Sequence, residues 1–217
     1  MMRGGPVIAV DGPAAAGKGT LARKLADALD LPYLDTGLLY RAVARLALDA
    51  GQDPARPAER FAQALMPADM QRKDLRTPDV AQAASKVAAQ PAVRAALVQT
   101  QRRFAAERGA VLDGRDIGTA IFPDADVKLF ITAAPATRAR RRFLQNGGDM
   151  NAPTAQTQLR EMEEALSARD KADTSRDSAP MRIADDAHVI ETDTLDAPAV
   201  LAEALRFTHD RLAARQG

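Results

Sequence analysis

Hydrophobic residues in this chain recur with two alternating periods. Val7 to Val10 form a compact apolar run between Pro6 and Asp11, which predicts a buried strand. Leu21, Leu25, Ala28 and Leu29 then fall at i, i+4, i+7 and i+8, a stripe that predicts a helix over 18–29. The alternation continues. "LPYLD" reads as a second strand, and Leu39, Val43, Leu46 and Ala47 mark a helix that ends at Gly51. Thr77 and Pro78 stand as N-cap and first helical residue before "DVAQAASKVAAQ", and Pro91 restarts a helix through Val93, Leu97 and Phe104 to Gly109. Further strands are predicted at 110–113, 127–131 and 188–192, and Leu201, Leu205 and Leu212 share one face of a last helix expected to pack on the sheet.

Strands alternating with helices at this spacing predict an α/β fold: a five-stranded parallel sheet, helices on both faces, and a ligand crevice at the strand carboxyl ends. Asp11, Asp35 and Asp113 all fall at such ends. Residues 51–76 are proline-punctuated and weakly periodic, so a linker or small excursion is expected there.

Composition narrows the function. Of 217 residues, 46% are apolar and 27% charged, and 30 Lys plus Arg against 29 Asp plus Glu leave a formal charge of +1. No global field would hold the chain on a nucleic acid polymer or an anionic membrane, so any phosphate binding must be local. With no cysteine, disulfides, thiol nucleophiles and Cys-ligated zinc are excluded. The apolar runs are far shorter than a spanning helix, and "MMRGGPVIAVDGP" is too short for a secretory leader, so a cytoplasmic address is expected.

The first strand leads into "DGPAAAGKGT", which matches G-x-x-x-x-G-K except that Gly19 stands where Ser or Thr is usual. Small residues let the amides of Gly12, Pro13, Ala14, Ala15, Ala16, Gly17, Lys18, Gly19 and Thr20 approach a triphosphate, with the helix dipole behind them; Pro13 itself offers only a carbonyl. Lys18 adds a point charge on the β- and γ-phosphates. Thr20 is the nearby hydroxyl for Mg²⁺, directly or through water. Asp113 either orients metal-bound water or caps the next turn. "TRARRRF" is a candidate lid laying Arg138, Arg141 and Arg142 over ATP.

A hydroxyl acceptor needs a general base, whereas an acceptor that is itself a phosphate needs charge neutralisation. His188 and His209 are expected to be structural or surface residues, while arginines stand at the expected ligand edge, at Arg41, Arg115, Arg169 and Arg176.

"GKGT" resembles the loop of nucleoside monophosphate kinases. "DGPAAAGKGT", "LDTGLLYR", "ASKVAAQPAVR", "DGRDIGTAIFPDADVKLFI" and "RDKADTSRDSAP" together resemble bacterial cytidylate kinases in order and register, from Pro6 to about Leu212. That resemblance implies a P-loop three-layer kinase fold over 1–217, with core 6–50, 109–135 and 185–217, an acceptor-binding region 51–108 and a lid region 136–184. It implies transfer of the γ-phosphoryl of ATP to CMP or dCMP, with Mg²⁺, by a monomer. Lys18, Arg115 and Arg169 would be catalytic. Thr36, Tyr40, Arg41, Arg115 and Arg169 would hold the acceptor, Ser85, Arg94 and Asp116 its cytosine edge, and Asp173 with Arg176 its ribose. Family members carry a β-rich insertion where this chain has only "LMPADMQRKD", so a shortened excursion is expected. The rival expectations are a kinase for UMP, AMP or another small acceptor, and a nucleotide-dependent switch protein.

Overall fold

The computed structural model describes residues 4–215. Five strands, β1 (Val7–Asp11), β2 (Tyr33–Asp35), β3 (Ala110–Asp113), β4 (Val127–Thr132) and β5 (His188–Glu191), pair in parallel in the order β2-β3-β1-β4-β5. The α/β sheet predicted from the sequence is therefore present. β5 stops one residue short of the expected strand. β1 is buried along its whole length, which is why it reads as an unbroken apolar run.

Alternation along β1 sends its side chains to two cores. Val7 and Ala9 face one with Leu112, and Ile8 and Val10 face another with Val111 and Leu129. The first is covered by α2 (Thr36–Asp49), α4 (Pro78–Ala88) and α5 (Pro91–Phe104) through Leu39, Val43, Val87 and Leu97. The second is covered by α1 (Lys18–Leu29) and α8 (Ala197–Ala213), with Leu201, Leu205 and Leu212 packed there as the sequence predicts. α6 (Pro135–Gln145) and α7 (Ala155–Thr174) pair beyond the carboxyl edge, and Ala139 and Leu166 meet Ala14 beneath the loop. Among the described residues no helix is long and apolar enough to cross a membrane.

Residues 51–76 are a folded excursion. They hold α3 (Glu59–Gln63) and two 3-10 turns, Pro67–Gln71 and Lys73–Arg76, pieces too short to show a period in the sequence. Ala58 and Ala62 join the first core. The Gln90 side chain ties down the excursion's backbone, accepting from Ala58 N at 2.8 Å and donating to the Pro54 and Arg56 carbonyls at 2.9 and 3.0 Å. Thr77 occupies the N-cap position of α4, but its hydroxyl donates to the Asp74 carbonyl at 3.0 Å and does not cap the helix amides.

At the carboxyl end of β1 the chain turns at Gly12, whose φ is +140°. An added Cβ there would lie 2.0 Å from the Ile131 carbonyl of β4. Gly12→Ala therefore combines a backbone strained for any L side chain with a clash against a central strand. Urea denaturation is expected to show a loss of about 2 kcal/mol or more.

Candidate functional site

Beyond the carboxyl edge lies a cleft of about 630 Å³, lined by residues of the loop, α2, α4, α5, α6, α7 and the segment after β3. Eleven lysines and arginines line it against four aspartates, in a chain whose net formal charge is only +1. Positive charge is thus concentrated in the cleft.

The loop forms one end. Ala15 and Gly17 have positive φ, 61° and 93°, which curls the backbone into a concavity ahead of the α1 N-terminus. Lys18 Nζ donates to the Pro13 carbonyl at 2.9 Å. Burial, then the charge of Arg115, lowers its ammonium from 10.5 to about 7. A Cβ on Gly19 would stand 3.6 Å from both Asp113 Oδ2 and the Tyr33 hydroxyl, so a longer side chain would fill the gap between loop and carboxylate. Tyr33 donates to Asp113 Oδ1 at 2.8 Å, and Thr36 Oγ1 donates to the Asp113 carbonyl at 2.8 Å. Burial, then Asp35, lifts the Asp113 carboxyl to about 6. The Asp113 carboxyl thus faces the loop and Tyr33.

The other end is polar and dry. Arg94 of α5 and Asp116 form a buried ion pair, each 5% exposed, and the Arg94 guanidinium lies 5.7 Å from the Tyr40 ring centroid. Burial raises the Asp116 carboxyl, with Arg94 opposing. Ser85 lines the cleft one helical turn from Ala81, to whose carbonyl it donates at 3.3 Å. Arg115 Nε donates to Asp173 Oδ2 at 2.9 Å, and Arg176 stands 3.7 Å from Asp173 Oδ1. Arg41 donates to the Leu75 carbonyl at 3.0 Å, tying α2 to the excursion.

Arg169, on α7, lies between the two ends. Its Nε is buried with no hydrogen-bond partner among the described residues. Burial, then Arg115, lowers it from 12.5 to about 10. A buried, unpaired donor repelled by neighbouring cations is suited to an anion.

The structure brings together Ala14, Ala15, Gly17, Lys18, Gly19 and Thr20 with Thr36, Tyr40, Arg41, Ser85, Arg94, Asp113, Arg115, Asp116, Arg141, Arg142, Arg169, Asp173 and Arg176. It does not bring Gly12, Pro13 or Ala16 to the cleft; they are buried beneath the loop, which they shape. Arg138 also departs from expectation. It is 4% exposed and lies against the loop's inner side, donating to the Ala133 and Ala14 carbonyls at 2.9 and 3.2 Å and pairing with Asp170 at 2.6 Å. Its partners are the Ala133 carbonyl, the loop backbone and α7, so the guanidinium is turned inward and does not line the cleft. Arg141 donates to Thr192 Oγ1 at 2.7 Å while still lining the cleft. His209 is exposed, and His188 contacts Glu203 and stacks on Phe207 away from the cleft.

Among the cleft residues not singled out from the sequence are Tyr33 and Arg76. Tyr33 sits on β2 inside an ordinary strand pattern, so only its partner Asp113, 80 residues away, reveals its use. Arg76 lines the cleft and pairs with Asp35 at 3.0 Å; its one sequence signal was its place immediately before the α4 cap.

A family model described as cytidylate kinase matches residues 8–210. The chain belongs to the cytidylate kinase family. A curated cytidylate kinase from Granulibacter bethesdensis is 58% identical over 193 residues, 88% of this chain and 90% of that protein. One from Methylocella silvestris is 50% identical over 214 residues, covering 96% and 97%. Among solved structures, TT1252 from Thermus thermophilus matches with a TM-score of 0.50 at 21% identity, over 96% of this chain and 98% of that one, a likeness of fold. The family resemblance carried by the five motifs is thereby established.

The buried pair gives a direct test. Arg94→Met strands the Asp116 carboxylate in a dry site and is expected to cost roughly 3–5 kcal/mol in urea denaturation. Arg94→Met combined with Asp116→Ala removes both charges and should recover a large part of that loss.

Proposed function

We propose that this chain transfers the γ-phosphoryl of ATP to CMP, and to dCMP, releasing ADP and the cytidine diphosphate. One observation carries the reading in a cytidylate kinase family member: a phosphate loop and a buried Arg94–Asp116 pair at opposite ends of one cleft, with Arg115 and Arg169 between them.

The loop amides and the α1 N-terminus bind the triphosphate, and Lys18 adds its charge to the β- and γ-oxygens. Asp116 accepts from cytosine N4, with Arg94 and Ser85 on the rest of the base edge. Uracil would turn an acceptor towards the carboxylate and leave both groups unpaired in a dry site. Asp173 and Arg176 hold the ribose. Thr36, Tyr40 and Arg41 hold the acceptor phosphate, which is already anionic and therefore needs no general base. An oxygen of that phosphate attacks the γ-phosphorus, and the bond to the β-phosphate oxygen breaks with its electron pair leaving on ADP. Arg115 and Arg169 stabilise the charge spread over the transferring group. Arg141 and Arg142, from the lid side, complete the shell on ATP.

Among the described residues no cluster of three or more acidic or histidine side chains could cage a metal. The donors present near the loop, the Thr20 hydroxyl and the free Asp113 oxygen, suit Mg²⁺ that takes its remaining ligands from phosphates and water. When bound, it supplies neutralisation of phosphate oxygens. The reading is of a monomer in the cytoplasm, where its nucleotide substrates are.

Incubation with ATP, Mg²⁺ and each of CMP, dCMP, UMP, AMP and shikimate should give acceptor-dependent ADP with CMP and dCMP foremost. ADP formed equally without any acceptor would sink the kinase reading. Combined Arg94→Met and Asp116→Ala should reduce the CMP-over-UMP preference in kcat/KM about 100-fold.

Lys18 predicts a pH dependence. In the free protein its pKa is about 7, and an adjoining triphosphate favours the ammonium form, so binding takes up a proton above pH 7. ATP affinity measured by calorimetry without acceptor should weaken between pH 7 and 9, by up to about ten-fold per pH unit. Lys18→Met should flatten the profile.

A further inference from the structure

We infer that Asp11 is a positioning residue for the acceptor: its buried carboxylate fixes the turn that directly follows Arg115 and Asp116, and thereby sets the base-reading groups relative to the phosphate loop. This role presupposes the parts proposed for Arg115 and Asp116.

Asp11 is the last residue of β1, immediately before the loop, and is 5% exposed. Both of its oxygens are engaged across the fold. Oδ1 accepts from Ile117 N at 2.9 Å and Oδ2 from Gly118 N at 2.8 Å. These are the first two amides of a wide helical turn, Ile117–Ile121, closed by i to i+5 bonds from Ile121 N to the Asp116 carbonyl and from Phe122 N to the Ile117 carbonyl. Amides at the start of a helical turn have no partner within it. Asp11 supplies that partner from 106 and 107 residues away.

The turn has little other freedom. Ile117 is 1% exposed, and a Cβ added to Gly118 would meet Lys128 Cδ at 3.1 Å and Ala9 Cβ at 3.4 Å, so the turn lies flat on β1 and β4. On the other side of Asp11, Gly12 is pressed against the Ile131 carbonyl. One rigid strand end therefore references both the loop and the residues directly after Asp116. Burial lifts the Asp11 carboxyl to about 6 against the pull of the two amides and Lys18, so an acid is kept where an apolar side chain would avoid the desolvation. The turn's geometry explains the acid, because only a carboxylate offers an acceptor to each of two successive amides at this distance. Asparagine offers one, and its NH₂ would face the other N–H.

The test is Asp11→Asn beside Asp116→Ala, with steady-state kinetics on CMP and UMP, calorimetry of ATP binding, and thermal unfolding. For Asp11→Asn the expected result is a KM for CMP raised about ten-fold or more, a CMP-over-UMP preference reduced at least five-fold, and ATP affinity within about three-fold of the parent. A lowered Tm with KM for CMP and preference within two-fold of the parent would show a merely structural acid and overturn the role. Asp116→Ala separates the two readings. If it leaves the preference intact, the assignment of the base-reading residue fails; if it shifts the preference and Asp11→Asn does not, the positioning role alone fails. Should Asp11→Asn not fold, Asp11→Ser, which keeps one acceptor in a smaller side chain, is judged on the same kinetic criteria.

Discussion

Cations held close together and away from water are the constraint around which this cleft is built. Burial and mutual repulsion lower Lys18 to about 7 and Arg169 to about 10, so the free site is electrostatically unfavourable and its groups would separate into solvent if released. Four cations of the cleft are restrained by an anchor: Lys18 by the Pro13 carbonyl, Arg41 by Leu75, Arg115 by Asp173 and Arg94 by Asp116. Those anchors keep their places because they are mounted around a sheet buried on both faces. A phosphate entering the site relieves the repulsion that the fold has sustained, which favours binding without any global positive charge.

The anchors also divide the arginines by surroundings. Arg94 is paired and dry, which suits reading an uncharged base by hydrogen bonds, because a wrong base leaves partners unsatisfied. Arg169 keeps an unpaired buried Nε at the centre of the cleft, which suits an anion whose charge is spread while it moves. Arg115 sits between these extremes, tied to Asp173 through Nε while its Nη1 donates to its own Gly114 neighbour at 3.2 Å.

"TRARRRF" shows how sequence neighbours part company. Adjacent helix positions point about 100° apart, so four arginines in one run serve four surroundings. Arg138 turns inward to the Ala14 carbonyl and Asp170, Arg140 faces solvent, Arg141 reaches Thr192, and Arg142 lines the cleft beside Gln145. A basic run announces charge near a site, but the helical period decides which guanidinium arrives.

By itself the sequence determined the strands, their parallel sense and the phosphate loop. β1 and β3 are short, apolar and sharply bounded, and a loop of Gly and Ala before a helix has few other conformations open to it. The five motifs also carried the family. The folded excursion at 51–76, the Tyr33–Asp113 bond, the inward turn of Arg138 and the reach of Asp11 to Ile117 and Gly118 were decided only by tertiary structure. Local pattern reports period and burial, which depend on neighbours a few residues away. A hydrogen bond across 80 or 106 residues exists only after the sheet has set two strand ends side by side, and it leaves no trace in either segment alone.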